Sequence, residues 1–160
     1  TIELINGSIT IEHKECNSVS KEERDGHYTI TIPIYTNLKC ETEEQRVVQE
    51  VTSAIGDSAR RYLPIRAREL AKQHHITFGK LFLKNNKSNW GSCSSLGNIN
   101  LNIHLMRLTP QLCDYVILHE IAHIIHRNHG AQFHQLVNEM THGKERELSA
   151  QLKKYRTQYW

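Results

Sequence analysis

"TPQLCDYVILHEIAHIIHRNHG", residues 109–130, decides how the rest of the chain is read. Thr109 is a good helix N-cap, and Pro110 sits at the first helical position, where its missing N–H costs nothing. From Leu112 to Ile125 the segment is apolar nearly all round, through Val116, Ile117, Leu118, Ile121, Ala122 and Ile124. Such a helix belongs in the centre of a domain, not on its surface. Yet it carries His119, Glu120 and His123. His119 and His123 are four apart, so both imidazoles point the same way, one turn apart, with Glu120 beside them. This is H-E-x-x-H, in which two imidazoles bind zinc and the glutamate serves as general base. Eleven histidines make a chance match on the order of 6 in 100, so context must carry the reading. Buried ionisable groups are costly, and metal ligation is one of the few arrangements that offsets that cost.

Four imidazoles within twelve residues cannot all bind one ion. His126 lies seven residues after His119, nearly on the same face, but ~10 Å further along a continuing helix at ~1.5 Å per residue; Zn–N bonds of ~2 Å cannot bridge that. His129 can join only if the helix ends and the chain folds back. Asn128 and Gly130 both tolerate the left-handed conformation that stops a helix. The expected ligands are therefore His119, His123 and His129, with the fourth position left for water and His126 either packing or supporting a ligand from behind. His74 and His75 fit a helix C-terminus, where a cation is mildly favoured. His134 and His142 are near only in sequence, and His104 is a candidate to face the cleft. Glu139, Glu145 and Glu147 lie where a glutamate third ligand would occur in related metallopeptidases, although solvated helix faces explain them equally.

Working outward, Phe133, Leu136, Val137 and Met140 mark a following helix, and Leu148, Leu152, Tyr155 and Tyr159 a C-terminal one. Upstream, "TFGKLFLK" (77–84), the short "NWGSCS" (89–94) and "NINLNIHL" (98–105) read as strands, with "SSLGN" (94–98) as the turn between the last two. Helical spacing of Val47, Val51, Ile55, Ala59 and Tyr62 from Glu43 onward resumes after Pro64 in "RARELAKQHH". It predicts one long helix kinked at Pro64 or two in succession. Residues 1–40 read as an antiparallel β region. Two runs flank Asn6-Gly7, a favoured hairpin dipeptide, and "HYTITIPIY" forms a third strand whose Pro33 argues for a sheet edge. "ECNSVSKEERDG" (15–26) reads as a charged loop. The expected class is α+β in a single domain over residues 1–160, with 1–40 a β-rich part and 41–160 the catalytic core.

Twenty basic against seventeen acidic residues give a net charge of +3, too slight for a dedicated nucleic-acid binder. "KKYR" (153–156) is explained by a solvated helix face. No apolar run approaches the ~18 residues that span a membrane. "TIELINGSIT" reads as neither signal nor transit peptide, and the expected compartment is the cytoplasm. Cys16, Cys40, Cys93 and Cys113 lack knuckle or redox spacings and are expected to be reduced, mostly buried thiols.

"SNWGSCSSLGNINLNIHL" followed by "LCDYVILHEIAHIIHRNHGAQF" closely resembles the YgjP-like metal-dependent hydrolases, relatives of the SprT-like zinc metallopeptidases. The likeness runs from "LPIRARELAKQH" to Phe133, about half the chain. It implies a zincin-like core: a backing helix, a small mixed sheet, and the H-E-x-x-H helix beneath its edge strand. By the resemblance, His119, His123 and His129 of "NHGAQF" hold Zn2+, and Glu120 is the general base. Asn89, Trp90, Gly91 and Ser92 belong to a rim that pairs with extended substrate; a core role for Trp90 and a bulge at Gly91 are equally open. The expected activity is a zinc-dependent peptidase acting on protein or peptide. Zinc would polarise the scissile carbonyl and lower the pKa of its bound water, while Glu120 passes the proton to the leaving amine. Tyr115, Asn89 and His104 are candidates to stabilise the oxyanion. Two alternatives come from other classes. One is a DNA-associated SprT-like protease; the other is a non-catalytic zinc-binding or interaction module, which a fourth protein ligand such as Cys93 would favour.

Overall fold

The computed structural model describes residues 1–35 and 41–157. Cys40 and Tyr159, named above, lie outside them. The chain divides into two compact units, Thr1–Ser58 and a second from Ala59 onward.

Among its described residues the first unit holds four strands: β1 (Ile2–Leu4), β2 (Gly7–Lys14), β3 (Ser20–Arg24) and β4 (His27–Pro33), in the order β1-β2-β4-β3. Two pairings are antiparallel, but the central one, β2 with β4, is parallel, so the sheet is mixed and not the purely antiparallel one expected. The segment read as a charged loop contains β3, whose residues Ser20–Arg24 carry no apolar alternation. What defines β3 is its turn: Asp25 (φ 51°) and Gly26 (φ 82°) both take positive φ, the two-residue hairpin conformation that Asp-Gly favours. Asn6-Gly7 is not such a turn. Leu4 pairs with Gly7 across Ile5-Asn6, and Gly7 is needed because a Cβ there would lie 1.9 Å from the Gly26 carbonyl oxygen. Pro33 ends an interior strand, not an edge strand. It lies past the end of β3, whose pairing stops at Thr31, while Ile34 donates to the Lys14 carbonyl on the β2 side. Ile9, Tyr28, Ile30 and Ile32 are buried together with Val51, Ala54 and Ile55. The last three belong to α1 (Glu41–Gln73), tied to the sheet by Lys21, which donates to Ser53 and pairs with Asp57 at 2.8 Å.

Through Pro64 α1 continues as one helix into the second unit. It ends where Ile76 N–H donates to the Ala71 carbonyl while His75 takes a left-handed conformation (φ 56°). Three short strands follow, β5 (Leu81–Lys84), β6 (Gly91–Cys93) and β7 (Ile99–Asn102), in the order β5-β7-β6, with β5 parallel and β6 antiparallel to the central β7. The 94–98 turn is as expected, closed by Ser94 N–H to the Asn98 carbonyl, with Gly97 at φ 78°. The last strand is shorter than its alternation suggests. Asn102 Oδ1 accepts from His104 N–H and caps a 3-10 helix, Ile103–Arg107, that takes over.

The H-E-x-x-H helix, α2 (Pro110–Ile125), starts as read: Thr109 Oγ1 accepts from Leu112 N–H at 3.2 Å. It buries Leu112, Cys113, Val116, Ile117, Leu118, Ile121 and Ala122. α1 is clamped to it by a two-pronged ion pair, with Arg66 Nε and Nη2 at 2.9 and 2.7 Å from the two Asp114 oxygens. Two shorter helices follow, α3 (Ala131–Met140) and α4 (Glu145–Leu152). Of the described cysteines, all free, only Cys113 is buried; Cys16 and Cys93 are half-buried. No described helix is long and apolar enough to cross a membrane.

Candidate metal centre and active-site cleft

His119, His123 and His129 converge on one point. The Nε2 of His129 lies 3.1 Å from that of His123 and 3.3 Å from that of His119. Three nitrogens bound tetrahedrally to one ion at ~2.05 Å would be separated by about 3.3 Å, so the spacing fits a single small cation. Among the described residues this is the only cluster of three or more potential ligands that could hold one.

Each imidazole is placed by a local device. His119 and His123 occupy one face of α2, as the spacing required. His129 reaches them because α2 ends at Ile125 and His126 turns extended (φ −124°, ψ 105°). The expected left-handed stop is absent: Asn128 is not at positive φ, and Gly130 (φ −83°) instead begins α3. Because the helix ends there, the ~10 Å axial estimate for His126 never applies. Its backbone carbonyl accepts from His123 Nδ1 at 3.0 Å, which fixes the tautomer and leaves the His123 Nε2 lone pair facing the triad. The buried ring of Phe133, from α3, forms the floor, stacked on His123 at 4.3 Å and edge-on to His119 and His129 at 4.9 and 5.0 Å. Burial pushes His119 down to about 4, reinforced by the neighbouring His123, and lowers His123 as well. All this favours neutral imidazole, the ligating form.

Glu120 is buried, and burial raises its carboxyl to about 7. It lies against β6: a Cβ on Gly91 would come within 3.0 Å of Glu120 Cγ and 3.1 Å of the Asn100 carbonyl oxygen. Gly91 is thus neither a bulge nor a mere spacer; it lets the strand close over the carboxylate. The triad and Glu120 open into a cavity of about 340 Å³ that Gly91, Ser92, Cys93 and Arg127 also line. A second, of about 170 Å³, continues past Gly91 between Trp90, Val116, Tyr115 and Leu152. A larger hollow of about 450 Å³, among Arg66, His74, Asp114, Met140 and His142, contains none of the triad.

Of the four rim candidates, Gly91 and Ser92 line the cleft, and Trp90, half-buried and not a core residue, walls the smaller cavity. Asn89 instead faces its own loop, its side-chain oxygen accepting from Asn86 and its backbone carbonyl from Asn102. Nor is His104 turned toward the cleft: its two ring nitrogens engage Asn85 and Arg107. Burial, with Arg107 beside it, holds that ring neutral down to about 4. No downstream glutamate belongs to the triad. Glu145 pairs with His134 at 2.5 Å, Glu147 accepts from Gln151, and Glu139 is exposed. Cys93 lines the cavity but is outside the ligand cluster. Sequence reasoning missed Asn102, a buried residue that looks like any polar strand position. Its Nδ2 donates to the Asn86 and Asn89 carbonyls at 2.8 and 2.9 Å, and its N–H to the Trp90 carbonyl at 2.9 Å, so it holds the loop that leads into β6.

The fold is that of a zincin-like metallopeptidase. It is similar to the metallopeptidase zymogen jannalysin of Methanocaldococcus jannaschii (22% identity, TM-score 0.51, 57% of this chain and 93% of that one). It is also similar to the zymogen abylysin of Pyrococcus abyssi (18% identity, TM-score 0.50, 57% and 92%). No curated protein sequence matches the chain significantly. The model of the YgjP-like metallopeptidase domain matches residues 6–155, and the chain belongs to that family. It is therefore a metallopeptidase, whose chemistry calls for a metal ion.

Proposed function

We propose that the protein is a zinc-dependent peptidase in which His119, His123 and His129 hold the ion and Glu120 is the general base. The observation that carries this reading is the approach of three Nε2 atoms to 3.1 and 3.3 Å beside a buried carboxylate. Zinc, when bound, supplies a Lewis acid for the scissile carbonyl and for water. Glu120, raised to about 7, is poised near neutrality to take a proton from water and return it to the leaving amine. Among the described residues β6 is an edge strand that pairs with β7 alone, so its other side can hydrogen-bond extended peptide beside Gly91 and Ser92. Tyr115, one turn before His119, lines the smaller cavity, but its side chain hydrogen-bonds Ser149, so no side chain is assigned to the oxyanion. The family model's span from 6 to 155 supports reading the chain as one peptidase domain.

Glu120→Gln tests the mechanism. The substitution keeps size and removes the base, so zinc content should stay at one per chain while peptide hydrolysis falls at least ~100-fold. Activity that survives the substitution would sink the mechanism.

A further inference from the structure

Arg66, Arg68 and Arg127 each line a cavity of the second unit, and the first two are already occupied. Arg66 is neutralised by the two Asp114 oxygens. Arg68 donates to the Phe78 and Gly79 carbonyls at 3.5 and 3.1 Å and lies 4.2 Å over the Phe78 ring. Arg127 is different. It lines the metal-site cavity at the Cys93 end of β6, and among the described residues no carboxylate pairs with it. Arg127 acts electrostatically on Cys93 and His123, neither an anion in its ordinary state. Among the described residues Glu120 is the only carboxylate lining that cavity, and it is buried against Gly91.

An unpaired guanidinium has five N–H donors in a planar fork that matches a carboxylate in two-pronged fashion. Here the exposed residue that carries the fork lines a cleft whose other cation would be the metal. The opposite end of β6 has the reverse character, with Trp90, Val116 and Leu152 as walls. A strand-like substrate lying along β6 would thus meet an apolar site on one side of the scissile bond and a cationic one on the other. We propose that Arg127 is a specificity-determining residue that binds a substrate carboxylate next to the scissile bond. This rests on the peptidase reading given above. The carboxylate can come from an acidic side chain or from a free peptide C-terminus, and the two share the same chemistry.

The test compares matched peptides that differ only at the residues flanking the cleaved bond. Glu is set against Gln, and a free C-terminus against its amide, each with the zinc-loaded enzyme. Wild type should favour the carboxylate-bearing member of one pair by ~10-fold or more in kcat/KM, the scale of a charge-assisted hydrogen bond. The pair that discriminates identifies the source. Arg127→Ala should bring that ratio to within about twofold, and Arg127→Glu should turn it toward Lys at the same position. The reversal cannot come from misfolding, and equal zinc content of the variants checks that the centre is intact. Binding of the same peptides to the Glu120→Gln protein, followed by fluorescence anisotropy, gives a readout independent of turnover. Discrimination in binding that Arg127→Ala abolishes, without cleavage by wild type, would uphold the carboxylate site while removing the peptidase reading. Cleavage or binding with the same ratio in wild type and Arg127→Ala, or no discrimination in either measurement, would overturn the inference and leave that reading standing.

Discussion

Replacing Gly91 by alanine asks whether the contact between rim and carboxylate matters to catalysis. The added Cβ would lie 3.0 Å from Glu120 Cγ, 3.4 Å from its Cδ and 3.1 Å from the Asn100 carbonyl oxygen, where ordinary contact begins at 3.4 Å. Something must therefore give by a few tenths of an ångström. Asn100 cannot easily do so, because it belongs to β7, the central strand paired on both sides. The displacement falls on Glu120 or on β6, and either choice shifts the base relative to a substrate lying on the rim. A misplacement of ~1 Å costs about 100-fold; a shift of a few tenths should cost roughly 10-fold in kcat/KM, with overpacking lowering stability by about 1 kcal/mol. The proposed His ligands come from α2 and the segment after it, not from β6, so zinc content should be unchanged. Peptide kinetics, metal analysis and thermal unfolding of Gly91→Ala and the bulkier Gly91→Val decide the matter, with a graded loss expected. If both variants keep wild-type kcat/KM, Gly91 does not set the position of Glu120.

Other expectations follow from the same geometry. His129→Ala should lose most of its bound zinc while His126→Ala keeps it, because residue 126 contributes a backbone carbonyl that alanine retains; metal analysis giving the reverse order would exclude this ligand set. Asp114→Asn should lower stability in urea by about 1–2 kcal/mol without changing zinc content, since its pair with Arg66 is under a third exposed; a loss of zinc without a loss of stability would contradict the clamp. His104 has a folded pKa of about 4 against 6.5 unperturbed. Between those values the unfolded chain takes up a proton that the folded one refuses, so the contribution is complete above 6.5 and lost as pH falls toward 4. From pH 8 to pH 5 it should cost metal-free wild type about 2 kcal/mol more than His104→Asn. Identical pH dependence of the two in urea melts would refute it.

Much of the second unit was legible because its signals are local. A Thr-Pro start and an apolar face all round identify α2, and H-E-x-x-H needs only helical periodicity to bring His119 and His123 together. The first unit was harder. Its sheet was read from hydrophobic alternation, and Ser20–Arg24 has none, although Asp25-Gly26 held the hairpin signal that was assigned to Asn6-Gly7. The parallel pairing of β2 with β4 followed from nothing local: once β3 takes the outer position, β4 must return alongside β2 in the same direction. The strand predicted through Leu105 failed for another reason. Asn102, polar at an alternating position, looked like a solvent-facing residue, yet its side chain turns back to cap a 3-10 helix.

At the site, the three histidines expected as ligands do converge, but sequence misjudged what brings them together. The left-handed stop expected at Asn128 and Gly130 was a guess about backbone conformation. The actual device is an extended His126 whose carbonyl orients His123, and it leaves no residue-type signature because any residue supplies a carbonyl. Gly91 was ambiguous for a similar reason: a glycine in a strand records that something comes close, not what. Here it is Glu120 Cγ, at 3.0 Å from where a Cβ would be, so the glycine leaves room for the proposed base and does not mark a bulge. Arg127 was invisible for the opposite reason. Between His126 and Asn128 it reads as one more solvated cation, and only the absence of a side-chain partner among the described residues sets it apart from Arg66, paired with Asp114, and Arg68, bonded to the Phe78 and Gly79 carbonyls. Sequence can show which donors a chain owns; which of them remain unspent along the cleft is a property of the fold.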